Sequence, residues 1–116
     1  MILADTSIII DFWKTNSSPA RKVFETETIA ICGITQAELL HGAKNENDIQ
    51  RILDAISVFS VLPLDDEIWI DAGKLLYRLR INGVRAPFQA VVISVVALRF
   101  DAQLWTLDSH FRLIQS

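Results

Sequence analysis

Two aspartates directly follow apolar runs, and their carboxylates are suited to holding a divalent cation. Asp5 follows the run 1–4, and Asp108 follows the run 103–106. If these runs are parallel strands, their carboxyl ends meet at one edge of the sheet, where ligands bind in such folds. Carboxylates brought together repel each other, and a hard cation such as Mg²⁺ relieves that repulsion. Capping of the helices that follow is the competing interpretation, because aspartate is a favoured cap.

Glu38 is a third acid with both a structural and a chemical interpretation. Thr35 and Glu38 have the spacing of a capping box, in which a threonine and a glutamate three residues later close the start of a helix. That role explains Glu38 without any function. The helix would follow an apolar run at 28–32, so the same carboxylate would lie on the edge that carries Asp5 and Asp108.

Charge and composition exclude several other classes of site. The chain has 11 basic and 14 acidic residues, a net charge of −3, whereas proteins that coat nucleic acid usually have a basic excess. Contact with nucleic acid must therefore depend on metal ions or on a local patch, for which the run Lys74, Arg78, Arg80 and Arg85 is a candidate, although such residues also complement helix ends. One cysteine, Cys32, excludes an internal disulfide and a four-thiolate metal site, and indicates a reducing, cytoplasmic compartment.

The remaining chemistry-bearing residues give weaker signals. His41 and His110 have no cysteine or histidine at ligand spacing, which argues against zinc. His110 lies two residues after Asp108 and is a minor candidate for proton transfer. The four glycines are scattered, so no phosphate-binding loop is present.

Apolar patterning indicates the elements that must position these side chains. We predict strands at 1–4, 28–32, 58–62 and 103–106. We predict helices from the Asp5 cap through residue 13 and at 17–25, 35–43, 48–57, 65–82, 90–100 and 109–114. Strands alternating with helices predict an α/β fold with a central parallel sheet of four or five strands and helices on both faces. We expect one domain over 1–116 and no membrane segment, because the longest uncharged stretch, 86–98, is too short to cross a bilayer.

Three segments together resemble the signatures of one family. They are ILADTS at 2–7, ITQAELLHGA at 34–43 and LWTLDSHF at 104–111. In this order, and at this chain length, they are similar to PIN-domain proteins, especially the VapC-type toxins of bacterial toxin–antitoxin pairs. The resemblance implies a Rossmann-like fold and a Mg²⁺- or Mn²⁺-dependent endoribonuclease that inhibits translation by cutting RNA, often transfer RNA.

The resemblance also implies partners and roles for particular residues. A small cognate antitoxin would neutralise the protein, which would form a homodimer and a larger toxin–antitoxin assembly in the cytoplasm. Asp5, Glu38 and Asp108 would be catalytic acids, with Asp5 and Asp108 as metal ligands. Thr6 and Thr106 would support them. Apolar residues of the early helices are our candidates for the antitoxin surface: Ile8, Phe12, Trp13, Val23, Phe24 and Leu53.

The chain departs from the family at position 90. The buried helix of the family usually begins with Pro-x-x-Asp, and that aspartate is a principal metal ligand. The corresponding segment here is PFQA at 87–90, so Ala90 occupies the ligand position without its carboxylate. Gln89 is a poor substitute, since one residue along a helix turns the side chain by roughly 100°. We expect impaired catalysis, and we favour deliberate inactivation over natural decay because alanine removes the carboxylate and keeps the helix.

Two readings outside this enzyme class stay open on sequence alone. A receiver-like domain also clusters acids around Mg²⁺, but it needs a lysine at the end of a late strand, which is missing here. A non-catalytic protein-interaction module is the other alternative, in which Ala90 would be native and inactivity normal.

Overall fold

A central sheet of four parallel strands organises the chain in the computed structural model, which describes residues 1–114. The strands are β1 (Ile2–Ala4), β2 (Ile29–Cys32), β3 (Ser60–Leu62) and β4 (Gln103–Trp105). Their order in the sheet is β3-β2-β1-β4. The helices are α1 (Thr6–Thr15), α2 (Ser18–Thr26), α3 (Gly33–His41), α4 (Glu46–Ile56), α5 (Asp66–Ile81) and α6 (Phe88–Arg99), followed by a 3₁₀ helix at Ser109–Leu113.

The strand order creates a switch point beside β1. The chain builds β1, β2 and β3 in one direction across the sheet and then returns to place β4 on the other side of β1. Leu3 is paired with Ala30 of β2 on one side and with Leu104 of β4 on the other. In open parallel sheets, the crevice outside such a reversal is the usual ligand site. The residues directly after β1 and β4 therefore lie where such a fold usually binds its ligand.

Two apolar clusters cover the two faces of the sheet. One is centred on α6, which is buried on most sides, and it includes Ile68, Ala72 and Leu79 of α5. The other joins α1, α3 and α4 through Ile9, Leu39 and Ile56. Phe24 attaches α2 to this second cluster, and its ring centroid lies 4.6 Å from that of Phe12 and 4.9 Å from that of Trp105. Both faces of the sheet are thus shielded from water, as a parallel sheet requires.

The predicted fold class is confirmed, with differences at several element boundaries. All four predicted strands are present. Helix α5 has acidic residues in its first turn and basic residues in its last turn, as the helix dipole favours. The last helix is a 3₁₀ helix and not an α-helix. Helix α3 begins at Gly33, two residues earlier than predicted, and α6 begins at Phe88, also two residues earlier. Within residues 1–114, the helices are all too short or too polar to span a membrane.

Candidate active site

Asp5 is held in a fixed orientation at the carboxyl end of β1. It caps α1 with an extended backbone, and its Oδ1 accepts from the backbone N–H of Ile8 at 3.4 Å. The same oxygen accepts from the Ser7 hydroxyl at 2.6 Å, and Oδ2 accepts from the Thr106 hydroxyl at 2.7 Å. The residue is only 5% exposed. Capping and site membership, which the sequence left as alternatives, are compatible in this side chain.

Thr106 joins the two strands at the switch point. While its hydroxyl donates to Asp5, its oxygen accepts from the backbone N–H of Asp108 at 2.9 Å. Ser7 has the matching arrangement, since it donates to Asp5 and accepts from the backbone N–H of Leu107 at 2.9 Å. Each hydroxyl has a single proton, and both protons are donated to Asp5. The Ser7 and Thr106 oxygens, which are 3.2 Å apart, therefore have no proton left to form a hydrogen bond with each other. These bonds fix the β4 end against the start of α1.

Ser7 was not predicted as a supporting residue, whereas Thr6 and Thr106 were. A serine two residues after an aspartate can bond to it locally, but the second bond, from Leu107, spans 100 residues of chain. The local pattern could have suggested the first contact, and no local pattern could have suggested the second.

Glu38 lies near the same edge of the sheet as predicted, but it does not cap the start of its helix. The capping box is wrong, because α3 begins at Gly33 with Cys32 as its cap residue and without a side-chain capping bond. Glu38 therefore lies in the second turn of α3, exposed, and its Oε1 accepts from the Thr6 hydroxyl at 2.8 Å. Thr35, the predicted cap, is fully buried and its hydroxyl has no hydrogen-bond partner within residues 1–114. Because the Glu38 carboxylate does not cap its own helix, it is available to the candidate site.

Asp108 caps the final 3₁₀ helix and is paired with His110. Its Oδ1 accepts from the backbone N–H of His110 at 2.9 Å and lies 2.8 Å from His110 Nδ1. The second carboxylate oxygen has no hydrogen-bond donor within the described chain. His110 was predicted only as a minor candidate for proton transfer, and the structure places it in contact with a predicted catalytic acid.

Ala90 lies in the first turn of α6 and is 1% exposed. The helix begins after Pro87 without a side-chain capping bond. Ala90 belongs to the apolar cluster centred on α6, which also contains Leu3 of β1 and Cys32 of β2. Burial raises the pKa of the Cys32 thiol, so that group stays neutral and is a poor metal ligand. The position to which the family resemblance assigns a metal-binding carboxylate is therefore apolar in this chain.

The oxygen donors suit a hard cation, but they are fewer than a full set. No three histidine, cysteine, aspartate or glutamate side chains in residues 1–114 come together as a group that could hold a metal ion. Mg²⁺ can be bound through one or two carboxylates with waters completing its shell. Asp5 accepts three hydrogen bonds, which leaves about one of its roughly four acceptor positions. Asp5 and Asp108 thus fit such a partial site.

A groove opens beside Glu38 on the outer face of α1, α3 and α4. Its volume is about 680 Å³. Its walls are mainly apolar, with the Arg51–Asp48 ion pair at one side; the lining includes Ile10, Trp13, Glu38, Leu39, Arg51 and Ile52. Of the six candidate surface residues, some of which were expected to be exposed, Trp13 and Leu53 are exposed, whereas Phe12, Val23 and Phe24 are half-buried. Ile8 is wrong as a surface residue, because it is 5% exposed and packs in the core.

Comparison with known proteins gives consistent matches over nearly the whole chain. The family model described as PIN domain matches residues 2–115. Ribonuclease VapC1 of Methanocaldococcus jannaschii is 28% identical over 115 residues, covering 98% of this chain and 81% of that protein. The structure of VapBC-1 from nontypeable Haemophilus influenzae has a TM-score of 0.84 at 27% identity, covering 98% of this chain and 92% of that one.

A second structure supports the fold alone. A toxin–antitoxin complex from Klebsiella pneumoniae has a TM-score of 0.76 at 24% identity, covering 94% of this chain and 88% of that one. The family model spans nearly every residue and the parallel sheet has the same architecture, so the receiver-like alternative is set aside. The chain belongs to the PIN-domain family.

Proposed function

We propose that this protein is an endoribonuclease toxin that hydrolyses RNA phosphodiester bonds and inhibits translation, with alanine at position 90 impairing its catalysis. The relative from Methanocaldococcus jannaschii is named a ribonuclease. The observation that carries the proposal is the hydrogen bond from Thr106 to Asp5, which joins the ends of β1 and β4 at the switch point. We further propose that residues 1–116 form one domain and that the protein acts in the cytoplasm. Transfer RNA is the candidate substrate there.

Mg²⁺ or Mn²⁺ is the proposed cofactor, with Asp5 and Asp108 as its protein ligands. Bound there, the ion would supply activated water and stabilise charge on the phosphate oxygens. Ser7 and Thr106 hold the Asp5 carboxylate by donating to both of its oxygens. His110 orients Asp108 so that its second carboxylate oxygen has no donor among residues 1–114. These contacts fix the carboxylates before any substrate arrives, which lowers the cost of ordering the site.

Glu38 is the proposed third catalytic acid. The Thr6 hydroxyl fixes one of its oxygens at 2.8 Å and thereby ties α3 to the start of α1. The second oxygen accepts no hydrogen bond within residues 1–114, so it can accept a proton from water or a substrate hydroxyl. Thr6 is thus a positioning residue, because it acts through Glu38.

The groove next to Glu38 is the proposed binding site for an inhibitory antitoxin segment. Its apolar lining suits the apolar face of a helix or an extended peptide, and Glu38 at its margin would attract a basic side chain. An antitoxin segment in this groove would block the approach to the site. We also propose that the protein forms a homodimer and, with its antitoxin, a larger toxin–antitoxin assembly.

Restoring the carboxylate at position 90 tests the proposed function. We expect Ala90→Asp to cleave single-stranded RNA in the presence of Mg²⁺ or Mn²⁺ and to lose that activity with EDTA. The gain should exceed roughly 10–100-fold, the loss that follows when groups merely supporting a metal ligand are removed. The readout is the rate of cleavage of a labelled RNA on a gel.

Ala90→Asn is the matched control, because it adds the same volume without the charge. We expect it to stay as inactive as the parent protein. Equal and negligible cleavage by the Asp and Asn variants, with both folded and with either metal present, would contradict the proposed function.

A further inference from the structure

Positive charge is concentrated in one segment of this acidic protein. Residues 72–100 contain five basic residues and no acidic residue, and the rest of the chain contains six basic and fourteen acidic residues. The basic residues of the segment are Lys74, Arg78, Arg80, Arg85 and Arg99. The net charge of −3 is therefore the balance between a strongly positive segment, 72–100, and a strongly negative rest of the chain.

Most of this charge lies on the solvent-facing side of α5. Ile68, Ala72 and Leu79 form the buried stripe of the helix. Lys74 and Arg78 are four residues apart on the opposite side, and both are exposed. Side chains at this spacing are neighbours on a helix surface, about 5–6 Å apart at Cβ. The two cations thus act on the same region of solvent.

An exposed aromatic ring lies within this basic surface. Tyr77 is 55% exposed, and the Arg80 guanidinium carbon lies 5.6 Å from the centre of its ring. A flat ring beside cations is the combination that binds single-stranded nucleic acid, because phosphates meet the cations and bases stack on the ring. We call the set Lys74, Tyr77, Arg78 and Arg80 the α5 surface.

The cations of the α5 surface are not neutralised by carboxylates of the described chain. Within residues 1–114, neither Lys74, Arg78 nor Arg80 forms an ion pair with a carboxylate. Arg99 shows the contrast, since it contacts Asp65, Glu67 and Asp71 at 2.9–3.6 Å. The α5 surface therefore keeps its charge available for a polyanion.

The chain leads directly from the α5 surface to the candidate site. Gly83, with a φ of 77°, turns the chain after α5, and the connection 82–87 carries the exposed Arg85. Three residues later α6 begins, with Ala90 in its first turn. Helix α5 also packs along α6. RNA bound on α5 would therefore lie on a helix that packs against α6, the helix that carries Ala90.

We propose that the α5 surface is a docking site for the phosphate backbone of single-stranded RNA, separate from the acidic candidate site. The inference rests on the proposed function, because it gives that activity a means of gripping its substrate. The acids around Asp5 repel phosphates, and the α5 surface supplies attraction that does not depend on metal. Docking there would lower KM more than it raises kcat, because it binds substrate and transition state alike.

The test measures binding of a fluorescein-labelled single-stranded RNA to the full-length protein by anisotropy over a range of salt concentrations. The triple variant Lys74→Gln, Arg78→Gln, Arg80→Gln should bind at least tenfold more weakly at low salt. Each phosphate contact contributes about −0.7 to the slope of log affinity against log salt for single strands. Losing two or three contacts should therefore flatten the slope by roughly 1.4–2.1. Arg78→Gln alone should give a smaller effect of the same sign.

The matched control is the triple variant Lys14→Gln, Arg21→Gln, Lys22→Gln, which removes the same charge from exposed residues of α1 and α2. It should bind RNA as the parent does, and circular dichroism should show both triples folded. Equal weakening by the two triples, or no weakening by the α5 triple, overturns the docking site. Absence of RNA binding by the parent, or equally effective displacement by polyglutamate, also overturns it.

The two proposals fail in distinguishable ways. If Ala90→Asp cleaves RNA and adding the α5 triple leaves its KM unchanged, the docking site is wrong and the proposed function stands. If Ala90→Asp cleaves nothing while the α5 triple abolishes RNA binding by the parent, the nuclease is wrong and the docking surface stands.

Discussion

Two polar side chains are buried in the described chain, and they differ completely in their surroundings. Asp5 follows β1, is 5% exposed and accepts three hydrogen bonds. Thr35 lies just after the neighbouring strand β2, is fully buried, and its hydroxyl has no partner within residues 1–114. A buried charge is tolerated only when it is paired or well hydrogen-bonded. The buried acid at the switch point is therefore well hydrogen-bonded, whereas the buried Thr35 hydroxyl has no partner among the described residues.

The largest expected effect comes from removing the satisfied acid. Asp5→Ala should lower the free energy of unfolding by about 3 kcal/mol, because it removes the α1 cap and leaves the Ser7 and Thr106 hydroxyls without their acceptor. Urea denaturation measures the change. Asp11→Ala is the control, since Asp11 lies on the same helix and its carboxylate makes no hydrogen bond within the described chain; it should change stability by less than about 0.5 kcal/mol. Similar losses in both variants would show that the Asp5 contacts contribute little.

A smaller effect should follow from removing one donor to Asp5. Thr106→Val keeps the shape of the side chain and removes its hydroxyl, so the carboxylate loses one bond and the Asp108 backbone N–H loses its acceptor. We expect a loss of about 1–2 kcal/mol in the same denaturation measurement.

Rescue of this loss distinguishes the hydrogen bond from simple packing. Thr106→Ser restores the hydroxyl without the methyl group and should recover most of the stability. In an Ala90→Asp background it should also recover RNA cleavage, which Thr106→Val should reduce. A serine variant as impaired as the valine variant in both measurements would rule out the hydroxyl as the important group.

The smallest effect, and the only stabilising one, is expected at Thr35. Thr35→Val removes a buried hydroxyl without a partner and should raise the free energy of unfolding by about 1 kcal/mol. Thr28→Val, at an exposed threonine, is the control and should have little effect. Loss of stability in the Thr35 variant would mean that this hydroxyl is satisfied in solution, which would remove the contrast with Asp5.

The sequence predicted the sheet well because its signals are local. Apolar runs identified the four strands, and Asp5 caps α1 as its position indicated. Parallel pairing then followed from the alternation of strands and helices. The predicted acids also lie in the segments that follow β1, β2 and β4.

The errors lie where tertiary contacts override local preference. Helix α3 was predicted to begin at Thr35, yet it begins at Gly33, directly after β2, which moves Thr35 into the core and Glu38 out of the capping box. The bond from Leu107 to Ser7 and the pairing of Thr6 with Glu38 join residues distant in sequence. No local pattern encodes such contacts, so the roles of Ser7 and Thr6 depend on the folded arrangement.

The hydrogen bond between Asp5 and Thr106 also limits when the candidate site can assemble. Its two partners are 101 residues apart in the sequence, so the ribosome must synthesise both ends of this span before β4 can pair with β1. A nascent chain that stops before β4 lacks one wall of the crevice together with Asp108. The candidate site therefore forms only after the strand next to Thr106 has left the ribosome.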